Sequence, residues 1–195
     1  MRPMRVVPEG DAGNRDDEAR LVAALRAGTL DAVAGAYDRW HQRVRVLARR
    51  LLGDDASAED VVQEAFAALP GAMRRFRGEV GLEAFLLAIA VKRARHHQRA
   101  AWRRRRAMDG LAGQEPGPTR TPEQDAYQRQ LGQRLTRALD RLPHAQRVAF
   151  VLCEIEGMTS IEAALVADAP EPTMRTRLFH ARRQLRDLLS REHAE

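Results

Sequence analysis

Arginines recur along the last predicted helix of the sequence in a pattern suited to DNA binding. Residues 172–191 contain six arginines and one acidic residue. On a helical wheel Met174, Leu178 and Leu185 fall on one face, so the arginines are left on another. An arginine in the first turns of such a helix can bind guanine through two hydrogen bonds in the major groove. The candidate DNA-contacting residues of this helix are Thr173, Arg175, Thr176, Phe179, Arg182 and Arg186.

A second basic segment lies in the middle of the chain. Residues 91–106 contain eight Lys or Arg and no acidic residue, although the whole chain has a net charge of only +6. The positive charge is therefore concentrated in two separate segments instead of being spread evenly over the sequence. Two such segments favour two contacts with a polyanion.

Catalytic and metal-binding residues do not stand at useful spacings in this sequence. The six histidines are scattered, and none has a metal-ligand spacing to Cys153, the only cysteine. A glycine loop of the kind that binds phosphate is also missing from the sequence. We therefore predict a protein that is not an enzyme and that needs neither a cofactor nor a metal. Cys153 lies in an apolar run and is interpreted as a buried small hydrophobic residue.

Helical periodicity extends through the first half of the chain, and no strand pattern accompanies it. Apolar residues at three- and four-residue steps over residues 30–51 predict a long amphipathic helix, which Gly53 ends. Ser57 is predicted to cap a second helix, and a third carries Leu82 in its apolar face before it turns basic. Leu and Ala dominate the apolar residues, whereas aromatic residues make up only 5%. This composition favours an all-α fold.

The end of the chain has the plan of a helix-turn-helix. Thr159 and Glu162 form a capping box that opens a short helix ending near Asp168. Residues 170–172 then start the arginine-rich helix. A short helix, a tight turn and a second helix with arginines at its start form the arrangement that places a recognition helix in the major groove.

Composition divides the chain into four parts. Residues 1–20 are charged and show no periodicity, which predicts a disordered extension. Three Gly and three Pro in residues 107–122 predict a flexible linker between two helical domains, 21–106 and 123–195. The sequence contains no apolar run long enough to span a bilayer and no secretory signal. We therefore expect a cytoplasmic protein without membrane insertion.

Short segments in both predicted domains resemble one family. Residues 58–64 read Ala-Glu-Asp-Val-Val-Gln-Glu, and residues 76–79 read Phe-Arg-Gly-Glu. In the second domain, residues 138–143 read Ala-Leu-Asp-Arg-Leu-Pro, and residues 156–159 read Glu-Gly-Met-Thr ahead of the arginine-rich helix. In this order, and separated by a linker, the segments resemble the extracytoplasmic-function (ECF) sigma factors. These are alternative sigma factors of the sigma-70 family of bacterial RNA polymerase.

The resemblance implies a chain that binds core RNA polymerase and directs it to promoters. The first domain would bind the polymerase and open the −10 element, and the second would bind the double-stranded −35 element through the arginine-rich helix. The implied polymerase contacts are Asp60, Val61, Gln63 and Glu64. The implied contacts to melted −10 DNA are Phe85, Lys92, Arg93, His96 and Arg99. The resemblance also implies a dedicated anti-sigma factor and a chain that is monomeric when free.

Several positions depart from the family pattern. The chain has Ala84-Phe85 where a Thr-Trp pair is usual, and Lys92 where an Asn is usual. Asp168 and Pro172 replace two glycines near the turn of the helix-turn-helix. Because Asp tolerates turn geometry well, we expect the helix-turn-helix to keep its fold.

Two alternative functions are compatible with parts of the sequence. In the first, the chain is a conventional helix-turn-helix regulator whose first half forms a dimer or binds an effector. The polar residues of the segment 59–64 argue against an apolar dimer surface there, and a stable dimer on size-exclusion chromatography would favour this alternative. In the second, the chain is an adaptor that has the fold but does not bind DNA. The arginines of the last helix argue against it.

Overall fold

The computed structural model describes residues 12–78, 80–108 and 135–191, and within these ranges it contains helices and no strands. The fold is therefore all-α, as predicted. None of the helices in the described ranges is long and apolar enough to cross a membrane. The helices are α1 (Ala12–Ala27), α2 (Leu30–Leu52), α3 (Asp55–Ala72), a 3₁₀ turn (Met73–Arg75), α4 (Leu82–Met108), α5 (described over residues 135–140), α6 (His144–Phe150), a π-helical turn (Val151–Ile155), α7 (Ser160–Ala167) and α8 (Glu171–Arg191).

Helices α2, α3 and α4 pack against one another and form the core of the first half. Every third or fourth residue of α2 is buried, from Ala32 through Trp40 to Leu51. The predicted apolar stripe is confirmed from Trp40 onward, but Leu30 at its predicted start is 85% exposed and Ala32 is buried in its place. Gly53 ends α2 with a φ of 90°, in the left-handed region that glycine adopts without a steric cost. Its N–H bonds to the carbonyl of Arg49 at 2.9 Å, so the predicted end of this helix is confirmed.

The start of α3 differs from the sequence-based prediction. Asp54, and not Ser57, is the N-cap: its carboxylate accepts a hydrogen bond from the backbone N–H of Ser57 at 2.7 Å. Both residues are good capping types, so the sequence offers two adjacent starting points for this helix. The earlier one adds residues 55–57 to the start of α3.

The predicted disordered extension over residues 1–20 was wrong for residues 12–20, which belong to α1. Tertiary contacts stabilise this helix. Leu25 is fully buried against the core, and the carboxylate of Glu18 accepts a hydrogen bond from the backbone N–H of Leu82 at 3.0 Å. Glu18 thereby satisfies one of the free N–H groups at the start of α4, a contact 64 residues away that local periodicity does not report.

The predicted linker over residues 107–122 also needs a correction at its start. Helix α4 continues through Met108, so the first two residues of the predicted linker are helical. Ala107 and Met108 follow eight residues that favour helix, and neither of the two is a glycine or proline that would stop the helix. Residues 109–122 lie outside the described part of the chain, as do the predicted extension before Ala12 and residues 123–134.

The second half forms the predicted helix-turn-helix. Thr159 and Glu162 make the capping box at the start of α7, with both reciprocal hydrogen bonds present. Asp168 ends α7 in the left-handed conformation with a φ of 50°, which confirms that Asp can occupy the turn where the family pattern has a glycine. Helix α8 follows and is anchored by Met174, Ala181 and Leu185, all of which are buried.

The capping box at Thr159 is expected to contribute to the free energy of unfolding. Replacing Thr159 with Ala removes the hydroxyl that accepts from the N–H of Glu162, so the free energy of unfolding should fall by about 0.5–2 kcal/mol. Thr29 is the matched control, since it occupies the N-cap of α2 without a side-chain capping bond. Chemical denaturation of Thr159→Ala and Thr29→Ala measures both values. Equal losses for the two variants would contradict a specific role for the capping box.

Candidate nucleic-acid interface

Helix α8 exposes the face that the sequence predicts to contact DNA. Arg175, Thr176, Phe179, Arg182 and Arg186 are all exposed, whereas Thr173 is half-buried. The buried residues on the opposite side hold the helix against α6 and α7, so its orientation is fixed by packing. A rigid helix with polar groups on its free face suits recognition in a groove, because the side chains are already positioned before binding.

Two of the predicted DNA-contacting arginines are paired with carboxylates of the same half. The guanidinium of Arg175 contacts the carboxylate of Glu171 one turn earlier in α8. Nε of Arg182 donates to Oε1 of Glu154 at 3.0 Å, across to the π-helical turn. The hydrogen bond from Ser160, more than the one from Arg175, lowers the pKa of the Glu171 carboxyl. The sequence analysis named the arginines but missed both acidic partners.

Phe179 has an exposed ring on α8. Its exposed fraction is 62%, and its ring contacts His180 edge-on at a centroid distance of 5.5 Å. Phe179 is therefore not a buried packing residue. A cleft beside it is lined by Cys153, Glu154, Arg175 and other residues of α8. Cys153 itself is half-buried there, and burial raises the pKa of its thiol.

The basic part of α4 presents a second charged face. Lys92, His96 and Arg99 are exposed, and Arg93 forms an ion pair with Glu64 of α3 at 3.5 Å. Phe85 is half-buried, with its ring 5.1 Å from that of Phe76, so packing accounts for much of its surface. The side chains of residues 104–106, which extend the basic run, lie outside the described part of the structure.

A cavity of about 770 Å³ separates this face of α4 from the second half. All five residues predicted to contact melted DNA line it. The opposite wall is made by α6, α7 and α8 and includes His144, Leu165, Ala167 and Arg177. The predicted residues of α4 therefore lie close together, and they face the helix-turn-helix across the cavity.

On α3, the predicted polymerase-contacting residues separate into two groups. Asp60 and Gln63 are exposed and available to a partner. Val61 is fully buried in the core, so its prediction as a surface contact was wrong: it lies on the apolar face of the helix. Glu64 is half-buried and accepts from Nε2 of His97 at 3.0 Å in addition to its ion pair with Arg93. It braces α3 against α4.

The residues that join the two halves were missed by the sequence analysis. Arg147 of α6 is only 3% exposed, and its Nη1 donates to the carbonyl of Leu51 and pairs with the carboxylate of Asp140, both at 3.0 Å. Glu156 pairs with Arg50 at 2.7 Å and with Arg43 at 3.5 Å. Arg147 directly precedes the apolar run of residues 148–153, which is a signal of a buried charge, but nothing in the sequence identifies its partners.

Two family profiles match the chain. Sigma-70 region 2 matches residues 36–104, which include most of α2, all of α3 and most of α4. Sigma-70 region 4 matches residues 132–185, which include α6, α7 and the first two thirds of α8. Among curated relatives, the ECF RNA polymerase sigma factor SigE of Mycolicibacterium smegmatis is 33% identical over 92% of this chain and 71% of its own length. The ECF RNA polymerase sigma-E factor of Escherichia coli K12 is 31% identical over 83% of this chain and 88% of its own.

Two solved structures have a similar fold. CnrH, solved with the cytosolic domain of CnrY, superposes with a TM-score of 0.61 at 23% identity and covers 89% of this chain and 97% of its own. The sigma factor RpoE of Bartonella quintana, solved with the anti-sigma factor NepR, gives a TM-score of 0.58 at 22% identity and covers 92% and 98%. At these identities the likeness supports the fold.

His144, a half-buried histidine that lines the cavity, gives a pH-dependent prediction. Burial, reinforced by the positive charges of Arg147, Arg95 and Arg99, lowers the pKa of His144 from 6.5 to about 4. The unfolded chain therefore binds more protons than the folded chain between these values, so the contribution of neutral His144 is complete above pH 6.5 and is lost as the pH falls towards 4. The free energy of unfolding should fall by roughly 1–3 kcal/mol more in the wild type than in His144→Gln between pH 7 and 4.

Urea denaturation across this pH range measures the difference. His180→Gln is the matched control, because His180 is exposed on α8. Its pH dependence should follow that of the wild type. A wild-type profile that coincides with that of His144→Gln would show that burial does not perturb this histidine.

Proposed function

Because the chain belongs to the ECF sigma factors of the sigma-70 family, we propose that its two halves share promoter recognition between them. It is an alternative sigma factor that binds core RNA polymerase and directs promoter-specific transcription initiation. One observation carries this function: regions 2 and 4 occur together in one chain, in that order. The alternative of a conventional helix-turn-helix regulator finds no support among relatives that match over most of the chain.

Helix α8 is the proposed recognition helix for the −35 element. Arg175 and Thr176 lie in its first turns, where a recognition helix approaches the edges of the bases. The exposed ring of Phe179 suits contact with a thymine methyl group or a sugar. Arg182 and Arg186 lie further along and are proposed to hold phosphates. The full proposed set is Thr173, Arg175, Thr176, Phe179, Arg182 and Arg186.

Two alanine variants of α8 separate base recognition from phosphate binding. Arg175→Ala should cost about 1–3 kcal/mol at one base position of the −35 element and relax the preference there. Arg186→Ala should weaken binding about equally on all sequences, because a phosphate contact carries no sequence information. Selection from a library randomised at −35, with polymerase containing each variant, measures both effects. A selected motif unchanged by Arg175→Ala would mean that α8 is placed in the groove in another register.

The exposed face of α3 is the proposed docking surface for core polymerase. Asp60 and Gln63 are exposed on this face. They lie next to Glu64, whose ion pair with Arg93 links α3 to α4. A carboxylate and an amide in this position suit basic and polar side chains of a partner. Val61 is excluded from the proposed contacts because it is buried.

Charge reversal on α3 tests this docking surface. Asp60→Arg combined with Gln63→Ala should weaken the affinity for core polymerase roughly tenfold or more, because a repulsive charge replaces an attractive one. Asp187→Arg on α8 is the matched control, since it makes the same charge change at an exposed site elsewhere. Fluorescence anisotropy with labelled chain measures the affinity, and circular dichroism measures helix content. If all three proteins bind core polymerase equally, polymerase does not dock on this face.

The basic face of α4 is proposed to contact the melted −10 strand. Lys92, His96 and Arg99 supply exposed positive charge, and the half-buried ring of Phe85 offers an edge on which an unstacked base can rest. Arg93, which is paired with Glu64, is proposed to exchange that partner for a phosphate.

Other properties of the chain are proposed by analogy with its relatives. The structures of CnrH and RpoE were determined with CnrY and the anti-sigma factor NepR, and we propose that this chain too has a dedicated anti-sigma factor. We also propose that it is monomeric when free, that it catalyses no reaction of its own, and that it works beside RNA polymerase in the cytoplasm.

A further inference from the structure

The cavity between the two halves is lined by an excess of positive side chains. Five of them form no ion pair among the described residues, and these are Arg75, Lys92, Arg95, Arg99 and Arg177. Asp168 is the one carboxylate among the described residues of the lining. A concave surface that gathers charges of one sign focuses their field on the space it encloses. The cavity therefore suits a ligand with several negative charges.

Buried polar atoms without a partner point to a ligand in the same place. Both ring nitrogens of His144 and Nε of Arg95 are buried, and none of the three atoms has a hydrogen-bond partner within the described ranges. His144 begins α6 and Arg95 lies on α4, so the two side chains belong to opposite walls of the cavity. A buried donor without an acceptor costs free energy, and an anion held between the walls supplies the acceptor.

The residues of α4 that line the cavity change from apolar to basic along the helix. Phe85, Ala88 and Ile89 line it first, and the basic residues from Lys92 to Arg99 follow. Phe85 and Lys92 are seven residues apart, which corresponds to about 10 Å along the helix axis. The ring of Phe85 and its aliphatic neighbours suit the face of a nucleobase, whereas guanidinium and ammonium groups suit phosphate. The ligand is thus expected to carry a flat ring at one end and phosphate groups at the other.

The volume of the cavity limits this ligand to one small molecule. It is about 770 Å³, within the range of about 300–1,000 Å³ that is usual for ligand pockets. We propose that the cavity is a binding site for a nucleoside polyphosphate, whose base lies against Phe85 and whose phosphates are held by the basic part of α4 and by Arg177 of α8. Arg177 and His144 belong to neither proposed set of DNA contacts, so binding of the nucleotide can be tested without DNA and without core polymerase.

Three probes separate the two parts of the ligand. Isothermal titration calorimetry with the full chain, in magnesium-free buffer at fixed ionic strength, compares ATP with tripolyphosphate, which lacks the base, and with adenosine, which lacks the phosphates. ATP should bind about tenfold more tightly than either, because each fragment gives up one set of contacts. Equal affinities for ATP and tripolyphosphate would overturn the position of the base at Phe85. No detectable binding of ATP would overturn the site.

Two arginines of α8 test the basic part of the site. Arg177→Gln should weaken ATP binding about tenfold, because it removes a charged donor to phosphate. Arg183→Gln makes the same charge change six residues later, at an exposed position outside the cavity lining, and it should bind ATP like the wild type. Equal losses in the two variants would show that ATP responds only to the net charge of the helix, and the role of Arg177 would then be wrong.

Two exposed aliphatic residues of α7 test the location of the site. Leu165 lines the cavity and is 52% exposed, whereas Ile161, one turn earlier, is 62% exposed and is not part of the lining. Leu165→Asp places a carboxylate at the cavity wall and should weaken ATP binding about tenfold, whereas Ile161→Asp should leave it unchanged. Circular dichroism checks that both variants keep their helix content. Wild-type affinity in Leu165→Asp would overturn the location.

Photolabelling locates the base on the chain. Photolysis with a derivative of ATP that carries an azido group on the base, followed by trypsin digestion and mass spectrometry, should label the peptide of residues 78–92, which contains Phe85 and Ile89. An excess of ATP should prevent the labelling. A label confined to other peptides would overturn the placement of the base along α4.

Discussion

The relation between the two halves depends on the buried guanidinium of Arg147. A charge that is 3% exposed loses most of its hydration, which costs several kcal/mol unless partners replace the water. Asp140 supplies one partner from its own half, and the carbonyl of Leu51 supplies the other from the opposite half. That carbonyl lies in the last turn of α2, where it has no partner within the helix. Gly53 lacks a Cβ and so leaves room for the Asp140 carboxylate, 2.6 Å from where that atom would be.

The two sides of α4 differ in how they respond to contact between the halves. Its inner side contributes Leu86, Leu87 and Ala94 to a core that continues into the second half, which favours contact between the halves. Its outer side carries positive charge, and the packing brings Arg95 and Arg99 near His144, where burial, reinforced by these charges and that of Arg147, lowers the pKa of the imidazole. Apolar burial thus favours the contact between the halves, and the surroundings of His144 favour its neutral form.

Local signals in the sequence predicted the helices well, and contacts between distant residues account for the errors. Gly53, Asp168 and the Thr159 capping box act within a single turn, so their effects could be read directly from neighbouring residues. Helix α1 is tied to the start of α4 by the contact between Glu18 and Leu82, and no local pattern encodes this contact. The exposed residues of α8 followed from its apolar stripe. Neither the acidic partners of its arginines nor the cavity beside α4 could be predicted, because both depend on the tertiary arrangement.

The two kinds of arginine contact differ in how easily they can be exchanged. Arg175 and Arg182 pair with carboxylates at the surface, where ion pairs contribute little to stability, so a DNA phosphate or base can replace the carboxylate at little cost. The contacts of Arg147 cannot be exchanged in this way, because breaking them leaves a buried charge without a partner. Arg175 and Arg182 can therefore exchange their carboxylate partners for DNA at little cost, whereas Arg147 cannot give up the contacts that link the two halves without a large one.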